Sequence, residues 1–264
     1  MTSTTNHASR HAHERPTGKT AKGPGQRQDA HSRGRRRKDD GTRRPNKRLG
    51  RAIHIDCPEE CELFFANLEP FTQNRMRKLR EQLRRNRRDM GPEQANAEWI
   101  QEPLNAWLSQ LDTRTIDLDE ENMAALAVGL NEVMSIRDAL IISLIVDETA
   151  CDADMLMDIV SRPCTRRVSK SVHHLLSEAF DDELGPDRAR CQAGLMMLNA
   201  MAKMVPKPMR AQPLAVIAYV LWWVGDSRAS SYALQSLEVD RDCSLAAIVL
   251  RTLDCGMEPA CCDE

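Results

Sequence analysis

From Leu214 to Val224 the chain reads LAVIAYVLWWV, a run with no charged side chain. Such a run has no polar face to offer water, yet it falls well short of the ~20 apolar residues that a bilayer-crossing helix needs. It predicts a helix enclosed by other elements of a globular domain. Pro213 opens it, because the missing proline N–H falls among the unbonded donors of a first turn. Gly225-Asp226 breaks it. Arg228 to Val239 follows, with Ala229, Tyr232, Ala233 and Leu237 on one face, and Ser244 to Leu253 forms a third helix. Breaks this short predict antiparallel neighbours.

Upstream, helical spacing dominates from Glu93 onward. Ala95, Trp99, Trp107, Leu108 and Leu111 predict helical segments interrupted at Pro103, which would start a fresh helix. Asp119 is suited to cap Glu120 to Val133, with Glu120 and Glu121 near the positive helix end. Ser135 to Val146 (SIRDALIISLIV) fits either a buried strand, by its β-branched content, or a buried helix, by Ile136, Leu140, Ser143 and Leu144. The helical neighbours favour the helix. Ala153–Val160, Ser169–Phe180 and Pro186–Met204 complete the helical core, expected over residues 91–264.

The first ninety residues are different. Residues 1–50 have few apolar side chains and cannot offset the entropy of ordering, so a disordered basic tail is expected. Ile53 and Ile55 alternate with Ala52 and His54, one short strand at most. Glu59 to Leu68 and Thr72 to Arg88 form a basic helical segment over residues 51–90, the second helix carrying a narrow stripe of Met76, Leu79 and Leu83. Charge divides accordingly: residues 1–90 hold 23 Lys/Arg against 11 Asp/Glu, residues 91–264 hold 14 against 28. The basic end either meets a polyanionic partner or folds onto its own acidic body. Its candidate phosphate contacts are Arg35, Arg36, Arg37 and Lys38 in the tail, and Arg77, Arg80, Arg84, Arg85, Arg87 and Arg88 on the helix. Aromatic residues suited to base stacking are lacking beside them.

Trp222-Trp223-Val224-Gly225-Asp226, with Tyr232-Ala233 and Leu237, resembles part of a tetratricopeptide unit. Those arrays need about three stacked copies, and no second copy is found, so a lone helix pair is expected. A longer pattern runs from Gln212 and Pro213 through Trp222, Gly225-Asp226, Ala233-Leu234, Leu237, Asp240 and Ser244-Leu245-Ala246 to Gly256 and Pro259. Together with Arg137-Asp138-Ala139, it resembles an actinobacterial domain-of-unknown-function family, number 4192, over roughly residues 130–260. Arg241 stands where members usually have a proline, and an apolar N-terminal segment typical of longer members is missing, so the likeness is to a divergent or shortened member. The resemblance brings no activity, cofactor or catalytic residue. It marks Arg137, Asp138, Pro213, Trp222, Gly225, Asp226, Ala233 and Leu237 as pattern residues with structural roles.

Chemistry-bearing clusters read blandly. His54, Cys57 and Cys61 lack the second ligand pair that structural zinc requires, and Cys261-Cys262 are adjacent, a poor chelating arrangement. His173 and His174 point about 100° apart on a helix, one expected half-buried and one exposed. Asp181-Asp182-Glu183, before Gly185-Pro186, is a solvated turn. No phosphate loop, nucleophile elbow or zinc-protease helix occurs. With nine cysteines but a polar Met1–Arg10 in place of an apolar leader, the thiols are expected reduced and the chain cytoplasmic. The expectation is an all-α, non-enzymatic interaction or adaptor module without cofactor or membrane contact. It would recognise a protein partner in a helix groove, with Trp99 or Trp107 as anchor if either is exposed. The alternative is a nucleic-acid-associated protein that acts through residues 1–90.

Overall fold

A computed structural model of the chain describes residues 53–54, 58–117 and 119–262. The tail expected over residues 1–50, and with it Arg35, Arg36, Arg37 and Lys38, lies outside them, as does Cys57. Among the described residues the fold is all-α. Its helices are α1 (Pro58–Ala66), α2 (Gln73–Asp89), α3 (Pro92–Thr113), α4 (Glu120–Glu132), α5 (Met134–Ile145), α6 (Ala153–Ser161), α7 (Arg166–Asp181), α8 (Arg188–Met204), α9 (Ala211–Trp223), α10 (Ala229–Val239) and α11 (Ser244–Asp254). The strand expected at Ile53 is two residues long, and pairs antiparallel with Thr115–Ile116.

Capping explains most of the boundaries. Thr72, Asp119, Asp152, Thr165 and Asp187 each accept backbone N–H bonds in the first turn of the helix they precede, which satisfies donors that the helix itself leaves free. The two pattern glycines act at the other ends. Gly225 has φ +72°; its N–H donates to Trp222 O at 3.1 Å, and Asp226 N–H to Leu221 O at 2.8 Å. Gly256, at φ +63°, repeats the arrangement, with Gly256 N–H on Leu253 O and Met257 N–H on Thr252 O. Both are Schellman turns, in which glycine takes the left-handed position at least cost. The second turn places Met257 O where Trp222 Nε1–H donates to it, at 2.9 Å. The pattern residue Trp222 is thereby joined to the turn at Gly256, whose following residue lies thirty-five positions on.

Two helices occupy the centre. In α5 every residue from Ser135 to Ile145 except Asp138 is buried, which settles the strand-or-helix alternative. β-branched content does not prevent a helix where packing surrounds the segment on all sides. In α9 all but Gln212 and Tyr219 are buried. The helix starts at Ala211, two residues before Pro213, which still falls among the free donors of the first turn. Antiparallel α10 covers α9, since Ser236 Oγ near its end donates to Ala211 O at the start of α9, at 2.8 Å. This is the lone C-terminal helix pair, with Ala233 buried in its seam and Leu237 packed on its edge.

Pro103 does not start a new helix: α3 runs through it. The proline loses the bond to Trp99 O and its ring crowds that carbonyl, a cost of about 3 kcal/mol. Ile100, Leu104, Trp107 and Leu111, all fully enclosed, form one stripe across the proline. At roughly 1.5–3 kcal/mol for each large apolar side chain buried, that stripe outweighs the local loss. Trp107 Nε1–H donates to Ser143 Oγ at 3.0 Å. α2 joins the same core through Met76 and Leu83.

α8 crosses α5 at Gly194, where a Cβ would stand 2.3 Å from Leu144 Cδ2. Alanine gains about 1 kcal/mol in helix propensity, while overpacking costs about 1–3 kcal/mol. Leu144 is itself enclosed, so the collision dominates and Gly194→Ala is destabilising in urea titration. In a Leu144→Ala background the same substitution becomes neutral or stabilising, because the methyl enters the vacated space. Additive effects of the two changes would refute this close contact.

Buried thiols give a second test. Cys191 donates to Leu144 O at 3.1 Å, and burial, reinforced by the charge of Asp187, pushes its pKa up to about 12. Burial, then Asp152, raises Cys151 to about 11. A raised thiol pKa contributes stability below the unfolded value, about 8.5, that is lost as pH climbs through the folded value. Iodoacetamide at pH 8 should label the exposed Cys164 and Cys255 well before Cys151 or Cys191, as read by peptide mass spectrometry. Stability should decline above pH 9, and Cys191→Ala should reduce that decline.

Candidate functional site

The arginines of α2 divide by face. Arg75 lies over the Phe71 ring, 4.9 Å from its centroid, and donates to Glu120 Oε2 at 3.0 Å. Arg80 Nε stands 2.7 Å from Glu132 Oε1, and Arg84 Nε 2.6 Å from Glu132 Oε2. Glu132 is almost enclosed by this pair, and its hydrogen bond, then its charge, raises the Arg84 pKa. Arg77 pairs only with Glu81 on the open surface, at 3.2 Å. Arg87 is half-buried, its Nε enclosed without a partner among the described residues. Lys78, Arg85 and Arg88 are exposed and form no ion pair among the described residues. Of the candidate phosphate contacts on α2, Arg80 and Arg84 are therefore already occupied by the acidic body.

The pattern residues of α5 and α9 meet. Arg137, largely buried, donates from Nε and Nη2 to Asp138 Oδ1 at 3.0 and 2.8 Å. Burial, then Asp138, pushes the Tyr219 hydroxyl up to about 12, with Arg137 opposing. Tyr219, Trp222, Trp223 and Phe180 form one aromatic cluster, ring centroids 5.4–6.3 Å apart. Asp226 holds Arg228 through both carboxylate oxygens, at 2.9 and 2.6 Å. The hydrogen bond from Arg228 is the main cause lowering the Asp226 pKa. The aromatic cluster joins α7 to α9, while the Arg137–Asp138 and Asp226–Arg228 pairs are local to α5 and to the turn after α9.

A cleft of about 550 Å³ opens where α3, α5 and α7 end, closed on one side by the start of α8. Its floor is apolar, with Leu111, Leu144, Ile145, Leu175 and Ala179. Its walls carry Asp112, Asp147, Glu148, Glu178, Asp182 and Asp187 against only Arg114 and Arg190. Arg190, largely buried, donates from Nε to Ser143 O at 3.0 Å, and from Nη1 to Asp112 and Glu148 at 2.6 and 3.0 Å. Hydrogen bonds from Thr149, side chain first and then backbone, hold Asp147 below the ordinary carboxylate range. Three helix C-termini add roughly half a negative charge each. Asp182 accepts from Leu184 N–H at 3.0 Å in the expected turn, yet it also lines this cleft. Sequence reading assigned it to a solvated turn, because nothing local indicates that three helices end around it.

The remaining candidates lie apart. His173 and His174 are both exposed, not one half-buried, because Val168 and Leu175 supply the buried stripe of α7 and neither histidine falls on it. Cys261 and Cys262 sit with sulfurs 3.7 Å apart, both directed at Trp223 O. Gly185 and Gly225 leave the space they occupy, since a Cβ at Gly185 would meet Cys261 at 2.7 Å. Among the described residues no group of three His, Cys, Asp or Glu is disposed to hold a metal ion. None of their helices is long and apolar enough to cross a membrane. Trp107 is enclosed and is no anchor; Trp99 is half-buried, its Nε1–H on Ala125 O at 3.0 Å.

No curated protein and no solved structure matches the chain. A family model, Domain of unknown function (DUF4192), matches residues 59–260, reaching from α1 to the turn after α11 and so well upstream of the segment that carries the sequence resemblance. The chain belongs to the DUF4192 family.

Proposed function

We propose that the chain is a cytoplasmic, non-enzymatic interaction module whose cleft between α3, α5 and α7 receives a basic amphipathic segment of a partner protein. The observation that carries this reading is the pairing of an apolar floor with a wall of six carboxylates and two arginines at three helix C-termini. Apolar side chains of a bound helix would cover the floor while its Lys or Arg residues meet the wall, the helix-in-groove mode of recognition. Arg190 supports it from within: a guanidinium already stands there, stabilised by Ser143 O, Asp112 and Glu148. Carboxylates of this kind mainly raise the association rate and select against acidic partners.

Fluorescence anisotropy of a labelled Leu/Lys amphipathic peptide with the full chain tests the cleft. Glu178→Lys with Asp182→Lys, both at exposed positions, should weaken binding at least roughly tenfold, since like charges placed opposite a charged partner cost several kcal/mol. Raising salt should weaken the unmodified complex as screening shortens to about 3 Å at 1 M. Binding indifferent to both changes would remove the cleft from consideration.

A second reading, contact with nucleic acid, is favoured by Lys78, Arg85 and Arg88, which face solvent unpaired. Deleting α2 would strip Met76 and Leu83 from the core, so point substitution is the sound test. Three phosphate contacts give a slope of log affinity against log salt no steeper than about −3. Lys78→Gln, Arg85→Gln and Arg88→Gln together should reduce that slope for duplex DNA if α2 takes part. An unchanged slope would assign any DNA binding elsewhere.

A further inference from the structure

We infer that a second groove, between α2, α3 and α4, binds an extended peptide in which basic residues alternate with others. The groove holds about 540 Å³, and Leu79, Gln82, Asn86, Glu98, Trp99 and Glu102 carry its recognition chemistry. It is separate from the acidic cleft and does not depend on the reading of that cleft.

Spacing is the core of the inference. Gln82 and Asn86 are four residues apart on α2, and Glu98 and Glu102 four apart on α3. Four residues of α-helix rise about 6 Å, and two residues of extended chain advance about 6.6 Å. A strand lying along the groove therefore brings successive same-side residues level with successive members of both pairs. The side chains of Gln82 and Asn86 have no hydrogen-bond partner among the described residues, and each amide offers the donor and acceptor that a peptide group requires. Glu102 has no partner among them either, and Glu98 receives only Gln94 Nε2–H, on one oxygen, at 2.7 Å.

Between the carboxylates lies Trp99. Its indole N–H is fixed on Ala125 O at 3.0 Å. The ring is thereby held in one orientation with its half-buried side on the groove, where with Leu79 and Pro103 it can cover the aliphatic stem of a Lys or Arg. The one arginine of the lining, Arg75, is already held by Glu120. Carboxylates that meet no cation among the described residues and an aromatic ring together select a donor-rich cation, and the two amides select an extended backbone.

The test compares two capped, fluorescein-labelled peptides of equal composition on the full chain, lysine alternating with alanine in one and the lysines contiguous in the other. The alternating peptide should bind several-fold more tightly. Gln82→Ala with Asn86→Ala should weaken it roughly tenfold, the size expected for losing two or so neutral hydrogen bonds, and Glu102→Gln also roughly tenfold, the size expected for losing one to a charged group. Far-ultraviolet circular dichroism should be unchanged, since all three side chains are solvent-facing. Glu178→Lys with Asp182→Lys should leave this binding intact, which separates the groove from the cleft. Equal affinity for both peptides, no binding of either, indifference to the groove substitutions, or loss on the cleft substitutions would each overturn the inference.

Discussion

A helix with no polar face has to be enclosed, and this chain has two of them. α5 and α9 present apolar side chains in every direction, so neither can lie on a surface, and the other helices are arranged to cover them. α10 covers α9 along its length; α3, α4, α6 and α8 surround α5. Where α5 meets α8 the fit is close enough to require Gly194. The serines drawn inward with these helices and their neighbours find partners within a turn or across one interface, whereas Trp223 Nε1 and Gln212 Oε1 on α9 have none among the described residues. Ser143 accepts from Trp107 and donates to Leu140 O, Ser135 donates to Val160 O, and Ser236 to Ala211 O. Each bond adds about 1 kcal/mol net, but leaving the group unpaired would cost more, so these serines favour the observed helix contacts.

The ends of the central helices produce the surface features. α5 terminates at Ile145, and its last carbonyls need donors. Arg190 supplies one and Cys191 another. The arginine's charge then requires carboxylates, which Asp112 and Glu148 provide. The acidic cleft thus grows outward from the capping of one buried helix. At the far end of α9 the same demand is met by Gly225, and Gly256 brings Met257 O to Trp222. Both glycines thereby set where the chain turns beside the aromatic cluster.

How much of this could be read from the chain depended on how local the cause was. Helix boundaries were legible where an apolar period and a capping or breaking residue agreed, as at Asp119 and Gly225. The apolar run in α9 announced its own central position. Pro103 misled, because the penalty of a proline is local while the stripe from Ile100 to Leu111 that overrides it is a property of the packed domain. The histidines misled for a similar reason: adjacent positions differ by about 100°, but the width of the α7 surface left to solvent is set by its neighbours. The cleft was not legible, because its six acidic residues come from segments seventy-five positions apart, Asp112 to Asp187.

Charge shows the same division between local and distant causes. The chain is close to neutral overall, at −2, yet few of its surfaces are. On α2, arginines on the flanks of the buried stripe find Glu120 and Glu132 on α4, pairs in which a nearly enclosed carboxylate makes the interaction worth more than an exposed pair would be. Of those on the outer face, Arg77 pairs with Glu81 on α2 itself, and Arg85 and Arg88 form no ion pair among the described residues. The carboxylates of the cleft outnumber the arginines that face it, and Glu98 and Glu102 line a groove whose one arginine is already engaged. The folded body neutralises its charges where burial makes an unpaired one costly and leaves them uncompensated where water screens them. What it leaves uncompensated on the cleft and the groove is negative and lies beside apolar surface.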